Sequence, residues 1–194
     1  MNFRLSALCV LAVMLSHAHS FAGTSEANAK LVSAIDQVVA VAGRSKSTSD
    51  LAKNVRPVLE KALSFPAMTR RAVGPGWRQF NEAQKNEAVN LFTTLIIRTY
   101  SEKFTIGERP EVTYKTASEP APGRVEIPTT LLYKGSRYEV VYRLEAAEGW
   151  KITDIVVEGV SFVANYRTQF DVQFKSGGAE AVLAALRKSV KELE

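Results

Sequence analysis

The 194-residue chain has one cysteine, Cys9, and two histidines, His17 and His19, all within its first 20 residues. If that opening segment is removed, the working protein has neither imidazole nor thiol. Disulfides, Ser/His/Asp and Cys/His nucleophile sets, and metal sites built on His or Cys are then excluded. No later stretch approaches the roughly 20 apolar residues needed to cross a bilayer. No Lys/Arg block resembles a nucleic-acid arm, so no nucleic-acid partner is expected. There is no internal repeat and no low-complexity tract. Gly74-Pro75-Gly76 lacks the lysine and the strand–loop–helix setting of a phosphate loop. Function must come from carboxylates, arginines, tyrosines and shape, which favours a binding protein without a cofactor over an enzyme.

The opening segment has the form of an export signal. Arg4 gives a positive start, Leu5 to Leu15 is an apolar run of 11 residues, and small residues follow at a cut after Ser20 or after Ala22. Residues 1–22 are read as a cleavable signal peptide and 23–194 as a single domain, exported to the bacterial periplasm. Cutting after Ala22 leaves 172 residues, enough for one sizeable core. It removes only Arg4, so Lys+Arg falls from 25 to 24 against 20 Asp+Glu, a net of +4. That excess suits an anionic ligand or an acidic surface.

Apolar residues at steps of three and four predict a helix over 25–43, carried by Ala27, Leu31, Ala34, Ile35, Val38 and Ala42. A second follows Ser49-Asp50, with Leu51, Val55, Val58, Leu59 and Ala62 inward and a kink or fresh turn at Pro57. Pro66 opens a short helix to Val73, and Gly74-Pro75-Gly76 stops it. Asn81 and Gln84 form a capping box for a helix over 82–103, whose inner face is Ala88, Leu91, Phe92, Leu95, Ile96 and Tyr100. Beyond Gly107 four β-rich stretches follow, 111–117, 124–133, 137–146 and 150–158. Their separators are Pro120-Ala121-Pro122-Gly123, Lys134-Gly135-Ser136 and Glu148-Gly149. In the third, Tyr138, Val140, Tyr142 and Leu144 share an apolar face, while Arg137, Glu139, Arg143 and Glu145 face water. Ser161 caps a helix carrying Phe162, Val163, Tyr166 and Phe170, Gly177-Gly178 breaks it, and a last helix covers 179–192. The fold class is α+β: a twisted four-stranded antiparallel sheet with helices on one face, enclosing an apolar cavity.

Asp154 is the main acid–base candidate, since alternation puts it on the buried face with Trp150 and Ile152. A base there with a tyrosine as acid would make a small cone-fold enzyme for an apolar substrate. The plainer reading pairs Asp154 with an arginine that fixes its strand. Tyr133, Tyr138 and Tyr142 could line a cavity, with polar tips on apolar bodies. Arg70-Arg71, Arg98 and Arg167 could receive a phosphate, or could simply be solvated helix faces. Trp77 is either a lid or a core residue.

Gly149-Trp150 through Phe170 closely resembles the signature of the MlaC-like toluene-tolerance family of periplasmic phospholipid-binding proteins. The matching positions are Trp150, Asp154, Glu158-Gly159-Val160-Ser161 and Asn165-Tyr166-Arg167. Met68-Thr69-Arg70, Gly74, Trp77, Phe92, Leu95 and Arg98-Thr99-Tyr100 follow in family order, so the resemblance spans nearly the whole exported chain. It implies an auxiliary carrier that takes phospholipid between an outer-membrane lipoprotein complex and an inner-membrane ABC transporter with an MCE-type lipid-binding component. Such a carrier supports outer-membrane lipid asymmetry. Under this reading the tails lie against Phe92, Leu95, Ile96, Tyr100, Tyr138, Val140, Tyr142, Leu144, Val157, Val160, Val163 and Tyr166. Arg98, Arg143 or Arg167 would meet the headgroup. A hopanoid or other lipid could occupy the same space, and an adaptor groove for a partner helix is a further alternative.

Overall fold

A computed structural model of the chain describes residues 6–147 and 149–193, with side chains from Gly23 onward. The expected signal peptide at 1–22 therefore lies outside the residues whose side chains are described, as does Glu148 of the expected Glu148-Gly149 turn. The chain begins with α1 (Ser6–Ala42), α2 (Thr48–Ala62), α3 (Phe65–Val73), a 3-10 turn (Gly74–Gln79) and α4 (Glu82–Ser101). Six strands follow: β1 (Glu111–Tyr114), β2 (Ser118–Ala121), β3 (Arg124–Tyr133), β4 (Ser136–Glu145), β5 (Lys151–Val157) and β6 (Val160–Ser161). The long α5 (Phe162–Lys191) closes the order. Among the described residues no helix is long and apolar enough to cross a membrane.

The helices follow the apolar spacing closely. Ala27 and Leu31 of α1 and Leu51 and Val55 of α2 are buried, and α1 ends before Gly43 as its pattern predicts. Two details differ. Ser47, not Ser49, caps α2, its side chain accepting the Asp50 N–H. Pro57 breaks nothing: the helix runs through it, losing the one bond a proline cannot donate, while Leu51 and Val55 hold it in the core. Both bonds of the predicted capping box are present: Asn81 accepts the Gln84 N–H at 2.9 Å, and Gln84 accepts the Asn81 N–H at 3.0 Å. Gly76 is required by contact, since a Cβ there would sit 2.7 Å from the Phe174 ring. The α5 helix is broken where predicted, at Gly177 and at Gly178 (φ 65°, ψ −149°), a backbone that favours glycine.

The sheet is antiparallel, ordered β1-β3-β4-β5-β6 with β2 also on β3, and it does not close. It has six strands instead of the predicted four. One cause is Pro128. Its carbonyl accepts the Lys115 N–H at 2.9 Å, so its missing N–H lies on the same side. The edge chain loses its ladder there and divides into β1, ending opposite Thr129, and β2, starting opposite Glu126. Part of the expected 120–123 turn is thus strand, which an edge position tolerates despite Pro120. The sixth strand is the short β6, linked to β5 by Glu158-Gly159.

Residues opposite each other in an antiparallel pair share a face. Val125, Ile127 and Thr129 of β3 lie opposite Leu144, Tyr142 and Val140 of β4. These lie opposite Ile152, Ile155 and Val157 of β5 in turn. The inner end of this face, with Val125, Ile127, Leu144 and Ile152, forms one core with residues of all five helices. The β4–β5 register shifts between Arg143 and Leu144, leaving Thr153 as an extra residue. Alternation reverses there. Asp154 therefore lies opposite Arg143 on the other face, not with Ile152 as simple alternation predicts.

Candidate functional site

The predicted tail-lining residues divide into a packed part and an exposed part. Phe92 of α4 is wholly buried, with Leu95, Ile96, Val140, Leu144 and Val163 nearly so. Phe92 meets Tyr166 and Phe170 of α5 edge-on, at centroid distances of 5.0 and 5.7 Å. The exposed part holds Tyr138, Val157, Val160 and Tyr100. Tyr138 (37% exposed) lies two residues from Val140 on one strand face, Val140 opposes Val157 (37%), and Val157 opposes Val160 (62%). Across from them Tyr100 (38% exposed) packs on Phe162 at 4.8 Å, and Phe162 on Tyr166 at 5.2 Å. An aromatic row thus runs inward from the exposed Tyr100: Phe162, Tyr166, Phe92, Phe170.

At the inner end of this row Phe92, Tyr166 and Phe170 pack directly on one another. Two surface concavities lie elsewhere. One, of about 310 Å³, is bounded by Lys30, Val58, Ala62, Leu144, Trp150 and Ile152, between α1, α2 and β5. The other, of about 610 Å³, is a shallow depression along one side of α1. The first is at the lower end of the roughly 300–1,000 Å³ that holds a drug-sized ligand, and the second is open to solvent. Neither hides a two-tailed amphiphile.

The tyrosines keep the region free of charge. Burial pushes Tyr142 up to about 12, helped by the neighbouring Tyr114. Burial pushes Tyr100 up to about 12 as well, with Tyr166 beside it, and raises Tyr166 and Tyr114. Each is neutral at physiological pH and presents a hydroxyl from an apolar body. Tyr133 is used otherwise: its hydroxyl accepts the Thr105 N–H at 2.6 Å and its ring meets Phe104, pinning the loop after α4 to the hairpin tip.

The three headgroup candidates are not brought together. Arg98 donates to the Val190 carbonyl at 3.4 Å, near the end of α5. Arg143 lies on the far face, its guanidinium held by Glu126 at 2.9 Å and Asp154 at 3.1 Å. Arg167 is exposed, lies against the Gly74 backbone, and makes no hydrogen bond or ion pair among the described residues. Of the α3 pair, Arg71 is bound to both oxygens of Glu145 at 2.7 Å, while Arg70 points to solvent. Trp77 is a packing residue, stacked on Phe80 at 5.4 Å.

Asp154 is 6% exposed and accepts four hydrogen bonds. Oδ2 takes Arg143 Nη1 at 3.1 Å and the Ser161 hydroxyl at 2.6 Å, and Oδ1 takes the N–H groups of Ile155 at 2.9 Å and Val163 at 3.1 Å. A carboxylate has about four acceptor sites. All four are filled from within the protein. The structure adds two groups that the expected lining set left out. Phe162 bridges Tyr100 and Tyr166, and its spacing of four from Tyr166 was the available signal. Ile127 and Thr129 share the Val140–Tyr142 face, which the alternation of β3 would have indicated.

Comparison with known proteins adds three findings. The profile of the family described as MlaC protein matches residues 32–188. Among solved structures, a phospholipid-binding protein from Ralstonia solanacearum, determined in complex with a phospholipid, superposes with a TM-score of 0.80 at 25% identity. The match covers 87% of this chain and 98% of that one. A search of curated proteins gives no match.

Proposed function

The chain belongs to the MlaC protein family, and from that premise we propose that it is a periplasmic carrier that binds phospholipid by its acyl tails. In this reading it is exported by cleavage of residues 1–22. It moves lipid between an outer-membrane lipoprotein complex and an inner-membrane ABC transporter with an MCE-type component, and so supports outer-membrane lipid asymmetry. Two tails of about 16 carbons cost roughly 25 kcal/mol to hold in water, at about 0.8 kcal/mol per methylene. A basic surface worth about 1 kcal/mol per charge cannot offset that. Only apolar enclosure can.

The observation that carries the proposal is the group of exposed apolar residues Tyr138, Val157, Val160 and Tyr100, which adjoins the buried Val140 and the Phe162–Tyr166–Phe92 row. The phospholipid bound by the Ralstonia protein, whose fold this chain shares, supports it. Tails enter between the sheet and helices α4 and α5, with Phe92, Leu95, Ile96, Tyr142, Leu144, Val163 and Tyr166 behind them. Of the three headgroup candidates, Arg167 is the one with no hydrogen bond or ion pair among the described residues, while Arg143 is committed to two carboxylates. The filled carboxylate of Asp154 disfavours the enzymatic alternative. Native mass spectrometry of protein purified without detergent tests the proposal. A co-purifying two-tailed phospholipid is the expected result; a hopanoid would redefine the cargo, and a bare protein that also takes none from vesicles would overturn the reading.

A further inference from the structure

Asp154 is buried and fully engaged, yet holding a lipid tail gives it nothing to do. Its four bonds join separate parts: Arg143 on β4, the outer edge of β5 at Ile155, and the first turn of α5 through the Ser161 hydroxyl and the Val163 N–H. Ser161 is itself the helix cap, accepting the Ala164 N–H at 3.1 Å. A carboxylate at a helix N-terminus is held by unsatisfied N–H groups and by the dipole. The turn it grips carries Phe162, which stands between Tyr100 and Tyr166 in the aromatic row.

Beside these bonds, the buried Val163 and the packed Phe162 join that turn to the core. β6 contributes only two residue pairs, Val156–Ser161 and Val157–Val160. At its far end the 162–176 segment meets the Gly177–Gly178 break, so it is not rigidly continued into the last helical stretch. We propose that Asp154 is a positioning residue, the latch that holds the first turn of α5 against the sheet and sets how fast the aromatic row opens to load and release lipid. This rests on the carrier reading.

The test uses the purified protein with Asp154→Asn, with Ser161→Ala as the milder variant should the first fail to fold, and with Leu186→Val as a control for general destabilisation. Transfer of a fluorescent phosphatidylethanolamine between phosphatidylglycerol vesicles is measured alongside amide hydrogen exchange. Losing one hydrogen bond to a charged group should speed exchange at 162–166 roughly tenfold, with transfer accelerating several-fold and exchange at 182–186 unchanged. Leu186→Val should lower the melting temperature without changing transfer. Unchanged exchange at 162–166, or faster exchange with wild-type transfer, overturns the latch alone. A wild-type protein that transfers no lipid overturns the carrier reading and the latch with it.

Discussion

Replacing Phe92 by alanine should separate two roles that one side chain plays at once. Phe92 has no exposure and meets Tyr166 and Phe170 edge-on. Truncating such a ring costs about 3–5 kcal/mol, of which each lost ring pair accounts for about 0.5–1.5 kcal/mol. At about 2–4 °C per kcal/mol for a domain of this size, the melting temperature of lipid-stripped protein falls by roughly 6–20 °C. If acyl tails lie behind the aromatic row, the loaded protein responds differently, because a tail can settle into the vacated volume. Sheltering about three further methylenes at about 0.8 kcal/mol each returns roughly 2 kcal/mol. The assay is urea unfolding of wild type and Phe92→Ala, each stripped and each reloaded with phosphatidylglycerol. An equal penalty in both forms, within about 0.5 kcal/mol, would refute the placement of tails beside Phe92, since ligand binding adds to stability independently of a distant cavity.

Two other outcomes follow from the same geometry. Tyr142 binds its proton more tightly folded (about 12) than unfolded (about 10), so its contribution is complete below pH 10 and disappears as pH rises to 12. Urea midpoints measured across that window should fall less steeply for Tyr142→Phe, and an identical slope would contradict the burial of this hydroxyl. Val160→Asp puts a charge on the most exposed of the apolar residues Tyr138, Val157, Val160 and Tyr100. Stability should stay within about 0.5 kcal/mol, while vesicle-to-vesicle transfer slows several-fold; unaltered transfer would remove β6 from the lipid path.

The helical half of the molecule was legible because its signals are local. Asn81 and Gln84 cap one turn, Gly177-Gly178 breaks another, and apolar steps of three and four mark the inner faces. The sheet was legible only where alternation runs without interruption, as in β3 and β4. Thr153 shows the limit. One extra residue moved Asp154 to the opposite face, and nothing local marks a bulge whose cause is the pairing of two strands. Pro128 was visible in the sequence, but its effect falls on the neighbouring chain, dividing it into β1 and β2. The candidate site was half legible: pattern identifies which residues are apolar and inward, but not whether they line a space or fill it. That depends on how closely the helices approach the sheet, which no local pattern encodes, while the meeting of α4 and α5 themselves is fixed by the Phe92–Tyr166–Phe170 contacts.

Both borders of the sheet are blunted against other chains. On one side Pro110, Pro120 and Pro122 interrupt the row of donors, with Glu111 and Glu119 adding charge. On the other, Ser64 donates to the Ile152 carbonyl, Asp154 takes the Ile155 N–H, and β6 covers Val156 and Val157. Val160 and two tyrosines are thus displayed to water beside strand edges that are short, charged or interrupted by proline, which disfavours edge-to-edge stacking of copies.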